Sequence, residues 1–398
     1  MKKFSLSTAM VLAAFMIAGC NGVKAKGTSE SSLTTLPAIG EVAVNNEISK
    51  DAIIQVAILL DTSSSMDGLI EQAKSRLWNI VNTLTTLKFK GKTPKIEIAI
   101  YEYGNDRIPS AQKYIREVTP LTHDLDLISE KLFALRTNGG QEYCGAVIDK
   151  AVKSLKWGNG KADMKLIYIA GNEPFTQGPV NYKEAISNAL GNDIYVNTIH
   201  CGDGRWGGVD SWQDGAKRGK GKFFNIDHNA RVRYYHTPYD DAISDYNMKL
   251  NDTYISYTKV GIAQKANQMK QDENAKSVSS ANYAERAVSK TKHVYNNSSW
   301  DLVDKISTDA NALKEIKKSD LAEELQAKSD DEIKALVVEK KQEREKIQKE
   351  IAGLAQKRQA YIDEQVKKDQ NNTGDDLGEA INQSVLDLAM IKGYQQEK

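Results

Sequence analysis

Residues 53–66 read Ile53-Ile54-Gln55-Val56-Ala57-Ile58-Leu59-Leu60-Asp61-Thr62-Ser63-Ser64-Ser65-Met66. The run from Ile53 to Leu60 is apolar almost without a break, the pattern of a parallel strand buried on both faces. Beyond it, Met66, Leu69, Ile70, Ala73, Leu77, Ile80, Val81 and Leu84 recur at steps of three and four, which predicts an amphipathic helix. Between strand and helix stand one carboxylate and four hydroxyls. In open α/β sheets ligands bind beyond the carboxyl ends of the strands, so this junction is the first place to look for a site.

Working outward, Ile96, Ile98 and Ile100 alternate as a second strand, and Tyr114 to Leu121 reads as a third. Helices are expected from about Asp124 and from Glu142 to Leu155. Three more strands follow at Leu166–Ala170, Tyr195–His200 and Phe223–Ile226, separated by helical stretches near 182–190 and 209–218. This alternation predicts a doubly wound, mostly parallel six-stranded α/β sheet of Rossmann-like type. All seven prolines lie between Pro37 and Pro238, and the last 160 residues hold only 5 of the 27 glycines. Turns need those residues and long helices avoid them, so an all-α region is expected after residue 237. The domain reading is therefore 51–237 for the sheet and 238–398 for the helices. Residues 314–368 carry 14 basic and 13 acidic side chains. There, Ile333, Val337, Lys340, Arg344, Ile347, Ile351, Leu354, Arg358, Tyr361 and Gln365 form a seam only partly apolar. It predicts a helical hairpin folding back on itself or on the sheet domain, with a homodimeric coiled coil as the alternative.

Asp61-x-Ser63-x-Ser65 between a buried strand and an amphipathic helix resembles the metal-ion-dependent adhesion site of von Willebrand factor type A (VWA) domains. The resemblance covers about residues 51–230. It implies Mg²⁺ or Mn²⁺ held by Asp61, Ser63 and Ser65, hard oxygen donors suited to such ions. The other loops depart from the family pattern. Gln141 of Gly139-Gly140-Gln141-Glu142 stands where the family has Thr, and Ile169-Ala170-Gly171-Asn172-Glu173 lacks the usual Asp. Gln141, Glu142, Asn172 and Glu173 are the remaining candidate oxygen donors. On a plainer reading, Asp61, Ser63 and Ser65 only hold the turn through local hydrogen bonds. Segments such as Phe224-Asn225-Ile226-Asp227-His228-Asn229, Leu250-Asn251-Asp252-Thr253-Tyr254 and Trp300-Asp301-Leu302-Val303 are similar to bacterial exported proteins that join this domain to a helical tail.

The chain begins MKKFSLSTAMVLAAFMIAGC. Lys2 and Lys3 precede an apolar run of signal-peptide length. Ile17-Ala18-Gly19-Cys20 resembles a bacterial lipobox, which implies cleavage after residue 19 and acylation (palmitate among the chains) of Cys20. Residues 20–50 are poor in large apolar side chains and read as a flexible tether. The expected location is lipid-anchored at the cell envelope, on the outer membrane, facing the periplasm or the surface. With Cys20 consumed, Cys144 and Cys201 remain as a pair, and an oxidising compartment predicts a disulfide between them.

With 54 Lys+Arg against 53 Asp+Glu, the 398-residue chain has no basic excess, which argues against a nucleic-acid binder. His200, His228 and His236 fit no compact zinc spacing, and no Gly-x-Ser-x-Gly elbow or P-loop is present. The Gly202–Gly208 run is expected to form a flexible loop overhanging the site, with Trp206 and Trp212 packed under it or, as the alternative, contacting a ligand. The expected function is a non-enzymatic, membrane-tethered binding or adhesion module for a protein or a glycan, of undetermined oligomeric state. The alternatives are an accessory or assembly factor docking an envelope complex through the helical tail, and an enzyme using Cys144 or His200.

Overall fold

The computed structural model describes residues 48–202, 208–309, 311–368 and 376–397. The leader, Cys20, the tether up to residue 47 and residues 203–207 of the glycine-rich loop, Trp206 among them, lie outside the described residues. The strands are β1 (Ile48–Asp61), β2 (Leu87–Phe89), β3 (Thr93–Tyr103), β4 (Ile115–Thr122), β5 (Met164–Gly171), β6 (Ile194–Cys201), β7 (Lys220–Ile226) and β8 (Tyr394–Gln396). The helices among and just after them are α1 (Asp67–Thr85), α2 (Leu125–Ala134), α3 (Cys144–Ser154), α4 (Tyr182–Gly191) and α5 (Val209–Arg218). The C-terminal region adds α6 (Asp240–Asn251), α7 (Thr258–Val278), α8 (Ser280–Ser289), α9 (Leu302–Thr308), α10 (Ala312–Glu315), α11 (Glu323–Gln326), α12 (Asp330–Lys368) and α13 (Leu377–Ile391).

Six strands pair in the order β4-β3-β1-β5-β6-β7, all parallel except the antiparallel edge strand β4. The apolar run of β1 occupies the centre, as its composition demands. Ile54, Val56, Ile58 and Leu60 face one core, while Ala57 and Leu59 face the other. On the first face lie α1, α2 and α13. On the second, α3, α4 and Trp212 of α5 close the layer. This is a doubly wound α/β sheet followed by a helical region that, contrary to the all-α expectation, ends in the short strand β8.

That helical region does not stand apart from the sheet. The first core continues from Ile54 through Ala284 and Ile351 to Tyr394, and residues 45–398 make one unit. The α13 helix sits beside α1 and crosses β5, β6 and β7. Its cap is Asp376, which accepts from the N–H groups of Gly378 and Glu379 and pairs with Arg76 of α1. Beyond α13, β8 pairs antiparallel with β2, a two-stranded ribbon absent from the sequence reading.

The predicted seam is real and its partner is this chain. Ile333, Val337, Arg344, Ile347, Ile351 and Arg358 are the buried residues of α12. Arg344 donates to Asp301 and Asp304 at 2.8 Å and stacks on Tyr254 at 3.9 Å. Arg358 donates to Asp240 at 2.9 Å. The seam therefore closes on α6, α8 and α9, and its two arginines are buried because acids on those elements meet them. Among the described residues no helix is long and apolar enough to cross a membrane.

Candidate functional site

Parallel pairing sets the level of the site. Asp61 lies opposite Tyr103 of β3, and Leu60 opposite Ala170 of β5, so three carboxyl-end loops converge. Asp61 Oδ1 accepts the Ser63 N–H at 2.8 Å, which closes the turn after β1. Thr62 donates from its backbone N–H to Tyr103 O at 2.9 Å and from its hydroxyl to Glu102 at 3.1 Å. The Gly139 loop is joined by Ser64 N–H to Gly139 O at 2.8 Å and Gly139 N–H to Ser64 Oγ at 2.9 Å. The Ser63 and Ser65 hydroxyls are 3.3 Å apart, and Asn172 Nδ2 donates to Ser65 Oγ at 3.2 Å.

Two glycines keep the space over Asp61 open. A Cβ at Gly104, whose φ is +80°, would lie 2.9 Å from both Asp61 Oδ1 and Glu142 Cγ. One at Gly171 would lie 3.0 Å from Asp61 Oδ2 and 2.4 Å from the Tyr103 hydroxyl. Burial pushes the Asp61 carboxyl up to about 7; the Ser63 N–H opposes this, and Glu142 and Glu173 add to it. Glu142 is also raised, by burial first and then by Glu173, against the Ser63 hydroxyl and Gln177. Asp61 Oδ2 and Asn172 Oδ1 are buried with no hydrogen-bond partner. An acid pocket with orphaned oxygens and two hydroxyls fits a hard cation, because an unpaired buried carboxylate is costly. Among the described residues no group of three or more His, Cys, Asp or Glu side chains is placed to hold an ion by itself. An ion here would thus depend on the Ser63 and Ser65 hydroxyls and the Asn172 amide as well as on Asp61.

The expected donors divide. Asp61, Ser63, Ser65, Glu142 and Asn172 come together, and Glu173 acts on them through its charge. Gln141 does not: its side chain is exposed and, among the described residues, accepts only from the Tyr143 hydroxyl, at 3.4 Å. The turn before α3 directs Glu142 inward instead, where its backbone N–H is held by Gln177 at 2.5 Å. The expected disulfide is absent, and Cys144 and Cys201 are free and buried. Cys144 packs in the core on the α3 face and Cys201 in the core on the α1 face, so the sheet separates them. Burial pushes both thiols well up, the reverse of a reactive cysteine.

His200 meets Asn225 at 2.6 Å, His228 meets Asn229 at 3.1 Å and His236 meets Ser280 at 3.1 Å, so each histidine has its own partner. Trp212 is fully buried and donates to Glu173 O at 2.9 Å, supporting the Asn172–Glu173 loop from below. Sequence reading passed over Glu102, Tyr103, Gly104 and Asn105. Asn105 donates to Arg136 O at 2.9 Å and joins the β3 loop to the loop after α2. The signal was available: a polar, glycine-bearing end to an otherwise apolar strand beside β1.

The fold and this loop define a doubly wound domain with an oxygen-rich pocket at its carboxyl edge. No family model and no curated protein matches the chain. Among solved structures it is similar to a von Willebrand factor type A protein from Catenulispora acidiphila, at 18% identity over 44% of this chain, with a TM-score of 0.33. The match covers 39% of that protein, so the chain spans about two fifths of its length. The SpRpn10 VWA domain matches at 17% identity over 44% of this chain and 88% of its own, TM-score 0.34. An aerotolerance-related membrane protein from Bacteroides fragilis matches at 19% identity over 44% and 93%, TM-score 0.31.

Proposed function

We propose that the chain is a VWA-type binding module, lipid-anchored at the bacterial cell envelope, that grips a carboxylate of a protein partner through a divalent cation. The observation that carries this reading is the buried, unpartnered Asp61 Oδ2 inside a group of acids and hydroxyls. Asp61, Ser63 and Ser65 would hold Mg²⁺ or Mn²⁺, with Asn172, Glu142 and Glu173 lying around it. The ion would supply an open coordination position that an incoming carboxylate fills. This chain's own part is to orient the hydroxyls, keep the Asp61 carboxyl in place through Ser63, and leave the space over Gly104 clear.

Millimolar Mn²⁺ is expected to raise the wild-type unfolding free energy by about 2–3 kcal/mol if the concentration is about 100 times Kd. Asp61→Asn should remove that response and stabilise the metal-free protein by about 1–3 kcal/mol. The amide oxygen still accepts from Ser63, while the unpaired charge is gone. Denaturant melts with and without Mn²⁺ read both effects. A wild type indifferent to both ions would reduce the loop to a device that holds its own turn.

The anchor has a separate test. Cys20→Ala should leave the leader uncleaved and the protein without lipid, seen as a precursor of lower mobility in gels and no labelling by palmitate analogues. Two or more acyl chains hold a protein stably where one would not. Normal processing of the variant would exclude the lipoprotein reading.

A further inference from the structure

Where residues 228–234 pass in front of α1, two clefts open on either side of the Glu71–Lys74 pair. One, of about 690 Å³, is bounded by α1, the end of α2 and the last turn of α7, and is lined by Phe133, Tyr234 and Val278 with Arg136 and Arg231. The other, of about 640 Å³, is lined by Asp67, Ile70, Arg107, Arg136 and Thr137. Arg136 belongs to both. The clefts begin beside the Asp61 loop, since Asp67 follows it by one turn. A Cβ at Gly68 would lie 2.2 Å from His228 O, so the 228 segment is pressed onto the start of α1.

The charges here do not cancel. Glu71 and Lys74 neutralise one another at 2.8 Å, and Asp67 accepts from the Thr137 hydroxyl. Arg107, Arg136 and Arg231 are exposed, and none has a carboxylate partner among the described residues. Arg136 is held in place by donating to Phe133 O at 2.9 Å and Leu135 O at 2.6 Å, both through Nη1. Its other N–H groups are left for a ligand. Guanidinium groups so placed match carboxylates in a planar, two-pronged geometry. Between them, Phe133, Tyr234 and Val278 offer apolar contact.

We propose that these clefts form one docking groove for an acidic peptide segment with interspersed apolar residues. From Asp67 to Ser75 the groove follows α1 for about 12 Å at 1.5 Å per residue. That length accommodates about four residues of extended chain. One wall comes from α7 and the 228–234 segment, so the groove exists only where the helical region is joined to the sheet. It uses none of the oxygens assigned to the cation, and the inference stands or falls apart from that reading.

The probe is a fluorescein-labelled octapeptide alternating Glu with Leu or Phe, titrated by anisotropy against the full chain in EDTA at roughly 50 mM salt. Saturable binding is expected, weakened at least about tenfold in R136E/R231E. R107E/R231E, which spares the Arg136 carbonyl contacts, should show a similar loss. A probe with Lys in place of Glu should not bind. No saturable binding by wild type, or unchanged binding by both variants with native melting curves, would overturn the proposal. Binding of phosphatidylglycerol vesicles in place of the probe, lost in the same variants, would also overturn it by assigning the groove to a membrane surface.

Discussion

Arg286→Met is expected to lower the unfolding free energy by about 3–5 kcal/mol, because it leaves a buried acid uncompensated. Arg286 of α8 is fully buried, ion-paired with Asp126 of α2 at 2.8 Å and Asp272 of α7 at 2.5 Å, and stacked on Trp78 of α1 at 4.6 Å. Lys290, also fully buried, pairs with Asp272 at 3.2 Å, and the Tyr295 hydroxyl donates to Asp126 at 2.6 Å. Two cations thus face two carboxylates in one knot that ties the helical region to the sheet's covering layer. Burial opposes ionisation of Asp272, yet Lys290 and Arg286 hold its carboxyl well below the usual 3.8. Because the folded value is depressed, its contribution is present above about pH 4 and is lost as pH falls further. Guanidinium melts at pH 7 and pH 3 should therefore show a contribution from this carboxyl of about 1 kcal/mol to the wild-type gap, and less in the variant. A loss under 1 kcal/mol at pH 7 would mean that the knot is solvated in solution.

Deleting residues 376–398 should abolish folding of the whole chain, sheet included. Leu377, Ile381, Val385, Leu388 and Tyr394 are all buried, and full burial of each contributes about 2 kcal/mol. Their sum, roughly 10 kcal/mol, is as large as the net stability of an ordinary domain. Polar contacts go with them: the Tyr168 hydroxyl with Ser384 at 2.7 Å, Lys392 with Asp193 at 2.6 Å, and the Tyr394 hydroxyl with Ala162 O at 2.7 Å. Soluble yield and far-ultraviolet circular dichroism check this. A truncated chain that still melts cooperatively within a few degrees of wild type would show that α13 is an ornament on the sheet.

The strands and α1 were legible because their periodicity is local: β1 must be apolar on both sides and α1 on one. The seam of α12 was legible for the same reason, down to Arg344 and Arg358. Its partner was not, since Asp301, Asp304 and Asp240 lie 40 to 118 residues away in the chain. The Asp61 turn was readable from residue types alone. Glu142 rather than Gln141 pointing inward depends on how one loop enters α3, and no spacing rule reports that. The disulfide was misread because two thiols left over in an oxidising compartment say nothing about which face of the sheet each one takes. The place of α13 was out of reach: Leu377, Ile381, Val385 and Leu388 announce an amphipathic helix without saying which surface, some 200 residues upstream, it covers.

That placement of α13 makes the order of synthesis matter. The last strand of the large sheet ends at Ile226, and the helix that covers β5 to β7 begins at Leu377, roughly 150 residues later. At about 5–20 residues per second, the ribosome takes about 8–30 s to supply the missing layer. For that interval Leu166, Tyr168, Ile199 and Ile226 have every strand neighbour but no roof. A nascent chain in this state is a substrate for holdases, and a prematurely terminated one for proteases. Residues 377–396 therefore act as a late checkpoint, since only a copy translated through them can close its own sheet.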